Sequence, residues 1–301
     1  MRYLSPLRYP GGKARLAPYI SRLINAQAEP PTHYAEPFAG GAGAALHLLR
    51  DGAVEYIHLN DLNPGVAAFW RASLDHPNEF CTKIMEVELS VEEWKKQRNI
   101  YDHPDEQDDL ALGFATFYLN RTNRSGILDA GPIGGLEQTG KWKIDARFNR
   151  SSLCVRIQAI ADMRHRIYVT QLDGLEFLRG LQHLSDRIMV YADPPYLVQG
   201  DGLYLHAFDA NDHVELAELL DKANFRWMLT YDDDPRITQR LYANGRCATF
   251  DIAHTAHHQH VGQEAIIFSR DLQVPDMAIT RGRVARWNDA PEQDEELMGA
   301  V

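Results

Sequence analysis

The sequence predicts an α/β fold built on a mostly parallel sheet, and three features predict it. Short apolar runs ending in an acidic or turn residue recur along the chain, most lead into stretches of helical periodicity, and between Asp75 and Met163 the alternation stops. The interruption divides the chain into a discontinuous main domain, residues 1–75 and 168–301, and an inserted, mainly helical domain at 76–167.

The elements follow in order. Residues 1–28 carry Arg2, Arg8, Lys13, Arg15 and Arg22 with no acid, a charge of +5. HYAEPF (33–38) and EYIHLND (55–61) read as strands, each followed by a helical stretch, AGAALHLLR (42–50) and PGVAAFWRASL (64–74). Residues 75–110 hold eleven acids against four bases and read as solvated helix. Long helical stretches then flank a basic, glycine-rich and strand-poor segment, SGILDAGPIGGLEQTGKWKIDARFN. Alternation resumes with the strands RIYVTQLD (166–173), RIMVYADPP (187–195) and FRWMLTYDD (225–233), interleaved with the helices GLEFLRGL (174–181) and HVELAELLDKA (213–223). EAIIFSR (264–270) adds a last strand, and the acidic, apolar-poor tail after Trp287 is not expected to fold. There is no internal repeat.

Composition narrows the function. The chain has 301 residues, 45% hydrophobic and 24% charged, which argues against bulk disorder. No apolar run is long enough to span a bilayer, and MRYLSPLRYPGGK lacks the apolar core of a signal peptide, so neither membrane insertion nor secretion is expected. The three cysteines, Cys81, Cys154 and Cys247, are widely spaced without a CxxC, which speaks against a disulfide framework or structural zinc and suits a reducing, cytoplasmic setting. A net charge of -11 argues at first sight against a nucleic-acid partner.

Two constellations carry chemistry. In EPFAGGAG (36–43), between a strand and a helix, clustered glycines let a nucleotide-like ligand approach the backbone while the helix N-terminus faces it. Asp61, at the end of the next strand, suits ribose hydroxyls. The spacing is not GxGxxG, so a packing turn with a helix-capping aspartate stays open. The second constellation is Asp193-Pro194-Pro195-Tyr196, directly after RIMVYA. Ligands of open α/β sheets bind at strand carboxyl ends, and the prolines can hold the Asp193 carboxylate beside the Pro194 carbonyl. Two adjacent acceptors fit an NH₂ group, and the Tyr196 ring offers a face for a planar base. The bland alternative is a plain proline turn.

The ordered set RYPGGK (8–13), EPFAGGAG, LNDLNP (59–64), FYLNRTNRSGIL (117–128), DGLEFL (173–178) and ADPPY (192–196) closely resembles the Dam-like, alpha-class DNA adenine-N6 methyltransferases. LYLHAF (203–208), Asp212-His213 and TYDDDP (230–235) resemble the family as well, so the likeness spans nearly all of residues 8–268. It implies a Rossmann-like methyltransferase sheet with an inserted, mainly helical target-recognition domain, S-adenosyl-L-methionine as methyl donor and double-stranded DNA as acceptor. It also implies Asp193, Pro194, Pro195 and Tyr196 as catalytic residues. The cofactor set it implies is Tyr9, Lys13, Glu36, Phe38, Ala39, Gly40, Gly41, Gly43, Asp61, Asp173, Phe177 and Asp193. Within that set the glycine turn takes the methionine part, Asp61 the ribose, Asp173 and Phe177 the adenine, while Tyr9 and Lys13 close over the cofactor. The acceptor nitrogen is paired inside the duplex, so the base must be flipped, and direct displacement at the methyl needs no covalent enzyme intermediate.

Sequence recognition is expected in the inserted region, from Asn120, Arg121, Thr122, Asn123 and Arg124, with Lys141, Lys143, Arg147 and Arg150 supplying charge for the DNA backbone. GILDAGPIGGLEQTGKWKIDARFN stands where Dam has its own recognition stretch, so a GATC target does not carry over. His254, His257, His258 and His260 mimic metal-ligand spacing, but methyl transfer needs no metal and a solvated or DNA-facing loop is the plainer reading. Alternatives are a cytosine-N4 or RNA adenine methyltransferase, or a non-catalytic DNA-binding relative. Further expectations are a monomer or weak dimer, a cytoplasmic, nucleoid-associated location and a possible cognate restriction endonuclease. The charge objection then dissolves: residues 1–28 and 117–170 together carry +10, leaving -21 for the rest. Acidity is segregated from the basic segments rather than spread over them.

Overall fold

The computed structural model describes residues 4–8, 13–195, 208–243, 245–254, 260–280 and 283–288. Among these, eight strands form one sheet in the order β3-β2-β1-β4-β5-β7-β6-β8. The strands are β1 (His33–Glu36), β2 (Tyr56–Asn60), β3 (Ile167–Thr170), β4 (Ile188–Ala192), β5 (Arg226–Asp232), β6 (Arg246–His254), β7 (His260–Phe268) and β8 (Arg286–Trp287). The first five pair in parallel, and β7 enters antiparallel between β5 and β6. The chain winds outward from β1 to β3, then returns to place β4 on the other side of β1. That reversal opens a crevice at the carboxyl ends of β1 and β4, where α/β sheets bind ligands.

Helices cover both faces. On one lie α1 (Ala17–Asn25), α2 (Gly43–Arg50) and α3 (Pro64–Asp75), and on the other α8 (Gly174–Gly180) and α9 (Ala210–Asp221). Their starts are written locally. Asn63 Oδ1 accepts from the Gly65 and Val66 amides ahead of α3, Asp173 does the same for α8, and Asp209 forms a capping box with Asp212 on α9. All five residues of β4 are buried, as a central parallel strand requires.

Between β2 and β3 the chain builds α4 (Pro77–Glu86), α5 (Val91–Asp102), α6 (Asp109–Thr122) and α7 (Arg150–Ala161). These helices share a core with α3 rather than enclosing one of their own. Phe69 of α3 stacks on Phe117 of α6 at 6.0 Å, and Phe80 packs edge-on against both and against Phe114. Gly113 permits this approach: a Cβ there would lie 2.6 Å from the Ala68 carbonyl oxygen.

The expected strands and helices all appear, and α1, β6 and the short β8 join them. Helix α1 buries Tyr19, Ile20, Leu23 and Ile24 on one face, in a stretch legible beforehand only as basic. Strand β6 pairs along its length with β7, which begins before EAIIFSR. Its Arg246, Asp251 and His254 break the apolar run by which the other strands are recognised. The acidic tail and the middle of the histidine stretch lie outside the described residues.

Candidate active site

Asp193 follows the last residue of β4, and its neighbour across the sheet is Thr230 of β5, one step beyond the Ala192–Leu229 pair. Thr230 Oγ1 donates to Asp193 Oδ1 at 2.7 Å. Because the threonine proton is committed to the carboxylate, the Tyr191 hydroxyl, 2.7 Å from Thr230 Oγ1, is the donor in that second bond. A buried chain, Tyr191 to Thr230 to Asp193, thus fixes one carboxylate oxygen.

Lys13 approaches the same oxygen from the start of a 3-10 turn, Lys13–Leu16. Its Nζ lies 3.4 Å from Asp193 Oδ1 and 2.8 Å from Oε1 of Glu264 on β7, with Lys13 and Glu264 side chains 7% and 2% exposed. Burial works to lower the lysine pKa, but the Asp193 and Glu264 carboxylates outweigh it and hold the ammonium above its usual value. Among the described residues two carboxylates face one ammonium here, an arrangement suited to a cationic ligand.

The glycine turn closes the other side of the crevice. Gly40 and Ala42 both have φ of 46°, and the Ala42 amide donates to the Ala39 carbonyl at 2.7 Å, a tight left-handed bend that glycine at 40 makes easily. Asp61 anchors the turn: its Oδ2 accepts from the Gly40 amide at 2.8 Å and its Oδ1 from the Asn63 amide at 3.0 Å. Burial pushes the Asp61 carboxyl up to about 6, against the opposing pull of those two amides. Trp70 Nε1 holds the Gly40 carbonyl from beneath at 3.0 Å. Gly43 opens α2 against Ala14, where a Cβ would sit 2.9 Å from the alanine Cβ, so the turn and the segment after Lys13 are packed as one unit.

Two expected cofactor residues, Glu36 and Phe177, are placed differently from the expectation. Glu36 faces the interior, not the rim: its Oε1 accepts from the Ala45 amide at 3.0 Å and the Tyr34 hydroxyl at 3.1 Å, and burial pushes its carboxyl up to about 8. It caps α2 from below, because a strand-end acid beside a helix N-terminus satisfies orphan amides there. Phe177 lies in the core under α8, 5% exposed. The partly open ring at this end is Phe38, edge-on to Phe208 at 5.6 Å and so close to α8 that a Cβ on Gly174 would meet its Cε1 at 2.7 Å. Asp173 spends Oδ1 on the Leu175 and Glu176 amides. Tyr9 and Tyr196 lie outside the described residues.

Sequence reasoning overlooked Glu264, Asn60 and the part Thr230 plays. Glu264 was legible only as an acid opening the apolar run EAIIFSR. Asn60, fully buried, ties three strand ends: Nδ2 donates to Pro37 and Leu172 carbonyls, and Oδ1 accepts from Thr170 Oγ1 and the Leu172 amide.

The family model for D12 class N6 adenine-specific DNA methyltransferases matches residues 9–258. The chain belongs to that family. It is therefore an enzyme that methylates adenine N6 in DNA using a methyl donor. No curated protein matches the chain. Among solved structures it is similar to the rRNA methyltransferase aviRa from Streptomyces viridochromogenes, at 14% identity and a TM-score of 0.37, over 89% of this chain and 88% of that one. Among the described residues of this D12 methyltransferase no helix is long and apolar enough to cross a membrane.

The expected DNA-reading cluster divides in two. Asn120, Thr122 and Asn123 are buried and spent on the fold, which corrects their expected role at base edges. Asn120 clasps Arg8, accepting from its amide at 2.7 Å and donating to its carbonyl at 2.7 Å, while also donating to Gly126 O at 2.8 Å. Thr122 bonds back to Tyr118 O, and Asn123 holds the carbonyls of Ile127 and Leu128 and accepts from Trp94 Nε1. These asparagines look like base readers in sequence because their chemistry serves loops equally well. Arg124, Lys141 and Lys143 are exposed, Lys141 lies over the ring of the exposed Trp142 at 5.7 Å, and Lys143 bonds the Gln138 carbonyl.

Proposed function

We propose that this D12 methyltransferase transfers the methyl of S-adenosyl-L-methionine to the exocyclic N6 of adenine in double-stranded DNA, by base flipping and direct displacement. The observation that carries the reading is the fixed Asp193 carboxylate at the carboxyl end of β4, with Thr230 at 2.7 Å and Lys13 at 3.4 Å on the same oxygen. The donor set suits this cofactor: among the described residues Asp61, Asp193 and Glu264 stand against Lys13, and a glycine turn free of side-chain bulk at Gly40 and Gly41 leaves the backbone open to approach.

S-adenosyl-L-methionine supplies a methyl group made electrophilic by its sulfonium. Gly40, Gly41 and Gly43 cradle its amino-acid end, Asp61 its ribose, and Asp173 with Phe38 its adenine. Adenine N6 delocalises its lone pair into the ring and is a poor nucleophile. Accepting its two N–H groups, the Asp193 carboxylate and the Pro194 carbonyl draw that pair back onto nitrogen and aim it, so positioning and electrostatics lower the barrier. Lys13 and Thr230 keep the carboxylate from rotating away. Pro195 stiffens the turn, and Tyr196 stacks on the flipped base.

DNA lies along the inserted helices, which form the target-recognition domain, with Arg121, Arg124, Lys141 and Lys143 at the contact. The enzyme works beside the nucleoid in the cytoplasm as a monomer or weak dimer, alone or with a cognate restriction endonuclease. Single-molecule sequencing of DNA from cells expressing the protein tests the reading. N6-methyladenine in one fixed sequence context is the expected result, and DNA with no modified adenine would overturn it.

A further inference from the structure

Outside the pocket, the first and last helices of the insertion meet along a face that holds two of the three cysteines. Helices α4 and α7 run antiparallel, tied at both ends of their contact. At one end Gln158 Nε2 donates to Asn78 Oδ1 at 3.1 Å, and at the other Arg150 donates to the Ile84 carbonyl and, at 2.7 Å, to the Val87 carbonyl. Cys81 and Cys154 stand midway between these ties, 73 positions apart in sequence, and both are half-buried free thiols. Their side chains cross: Cys81 Sγ donates to the Cys154 carbonyl at 3.8 Å, and Cys154 Sγ to the Cys81 carbonyl at 3.7 Å. Each thiol already reaches the main chain of the other residue, so rotation about χ1 brings sulfur to sulfur without moving a helix. The two sulfurs differ in surroundings. Gln158 Nε2 donates to Cys81 Sγ at 3.8 Å, a contact that favours a thiolate there. Burial and the neighbouring Cys81 sulfur push the Cys154 thiol up to about 12.

We propose that Cys81 and Cys154 are a redox pair that closes into a disulfide when hydrogen peroxide reaches the face between α4 and α7, stapling the entry of the inserted domain to its exit. The Cys81 thiolate attacks one peroxide oxygen, the O–O bond breaks, and the sulfur becomes a sulfenic acid. The hydroxide that leaves takes up the proton Cys81 gave up. The Cys154 sulfur then attacks the Cys81 sulfur, forming the S–S bond and breaking the S–O bond, and the hydroxyl departs as water with the Cys154 proton. Two thiols lose two electrons, and one hydrogen peroxide becomes two waters. Oxidation of Cys81 removes the neighbouring thiol that holds the Cys154 proton in place, so the second step follows on the first. The closed ring spans residues 81–154 and encloses α5, α6 and the segment with Arg124, Lys141 and Lys143. Joining its two ends restricts the unfolded insertion and so stabilises the folded one. Cys247, buried in β6 within the core on the other face of the sheet, takes no part.

Non-reducing peptide mapping of the full-length protein, before and after a small excess of hydrogen peroxide, tests it. The expected product is one cross-linked pair of peptides holding Cys81 and Cys154, lighter by two hydrogens than the free peptides and separated again by dithiothreitol. Cys247 should remain open to alkylation after denaturation. In Cys154→Ser the Cys81 sulfenic acid is expected to persist and to be trapped by dimedone, whereas in Cys81→Ser the Cys154 thiol stays reduced. The oxidised wild type is expected to melt at least ~3 °C above the reduced protein, with its methyl-transfer rate retained. Sulfinic acid at either cysteine without the cross-link, a disulfide to Cys247 or to a second chain in its place, or thiols that stay alkylatable while methionines are oxidised would overturn the proposal. So would a cross-linked protein that melts no higher than the reduced one, since the bond would then staple nothing. Cys154 reacting in Cys81→Ser as fast as Cys81 does in Cys154→Ser would overturn the order of attack.

Discussion

Thr230 donates its hydroxyl to Asp193 Oδ1 at 2.7 Å, so the candidate catalytic carboxylate is oriented by a side chain from the adjacent strand. A hydrogen bond to a charged group contributes about 1.5–3 kcal/mol. Replacing Thr230 with valine keeps the shape and removes the donor. Single-turnover methyl transfer is expected to slow by ~10- to 100-fold, with cofactor and DNA affinities little changed and Thr230→Ser restoring most of the rate. Equal losses in rate and in cofactor affinity would assign Thr230 to packing instead.

The Lys13–Glu264 pair joins the segment before α1 to the antiparallel edge of the sheet across 251 positions in sequence. Breaking one partner of a buried pair leaves an uncompensated charge and costs about 3–5 kcal/mol, whereas removing both costs far less. Urea denaturation is expected to show Glu264→Met and Lys13→Met each strongly destabilised and the double variant more stable than either. Additive losses would mean that the two side chains do not act on each other.

Asp61 and Glu36 make stability depend on pH in a direction opposite to that of an ordinary salt-bridged acid. Burial pushes both carboxyls up in the folded protein, to about 6 and about 8, from ordinary values of 3.8 and 4.5. The folded state therefore holds these protons more tightly than the unfolded chain. The associated stability is fully present below the unfolded values and is lost as pH rises through the folded ones, the Asp61 share by about pH 6 and the Glu36 share by about pH 8. Denaturation midpoints are expected to fall between pH 5 and 8 relative to Glu36→Gln. A midpoint difference between wild type and Glu36→Gln that is constant over this range would contradict the assignment.

Asn120 makes three hydrogen bonds that bind Arg8 and Gly126 to the end of α6. At about 1 kcal/mol each, Asn120→Ala is expected to lose roughly 3 kcal/mol of stability. The methylated sequence context should stay the same, as read by sequencing of modified DNA. Arg124→Ala, at an exposed position, should instead leave the melting temperature unchanged and weaken or relax DNA binding. A changed context in Asn120→Ala with normal stability would return this residue to base recognition.

The parallel strands were legible because each ends in a residue that must stop it. HYAEPF, EYIHLND and RIMVYADPP carry their termini in Pro37, Asp61 and the two prolines after Asp193, and the motifs sit at those ends because the fold places loops there. Strand β6 was not legible, because its pairing with β7 rather than its own apolar content makes it a strand. Among the candidate site residues, Asp61, Lys13 and Asp193 stand in motifs legible in the sequence, whereas their hydrogen-bond and ion-pair partnerships do not. Glu264 meets Lys13 only when the antiparallel edge folds back along β5, a relation no local pattern encodes. Asn120 and Asn123 misled for the converse reason: side chains able to read a base are equally able to hold a backbone turn.

The central claim is that the Asp193 carboxylate aims the adenine amino group at the methyl donor, and single-turnover methyl transfer by Asp193→Ala on a duplex carrying the protein's own target sequence tests it most directly. The account expects no methyl transfer on the time scale of the wild-type reaction, while DNA binding, measured in the same preparation, largely survives. Measurable turnover in that variant, or loss of transfer only in step with loss of DNA binding, would contradict it.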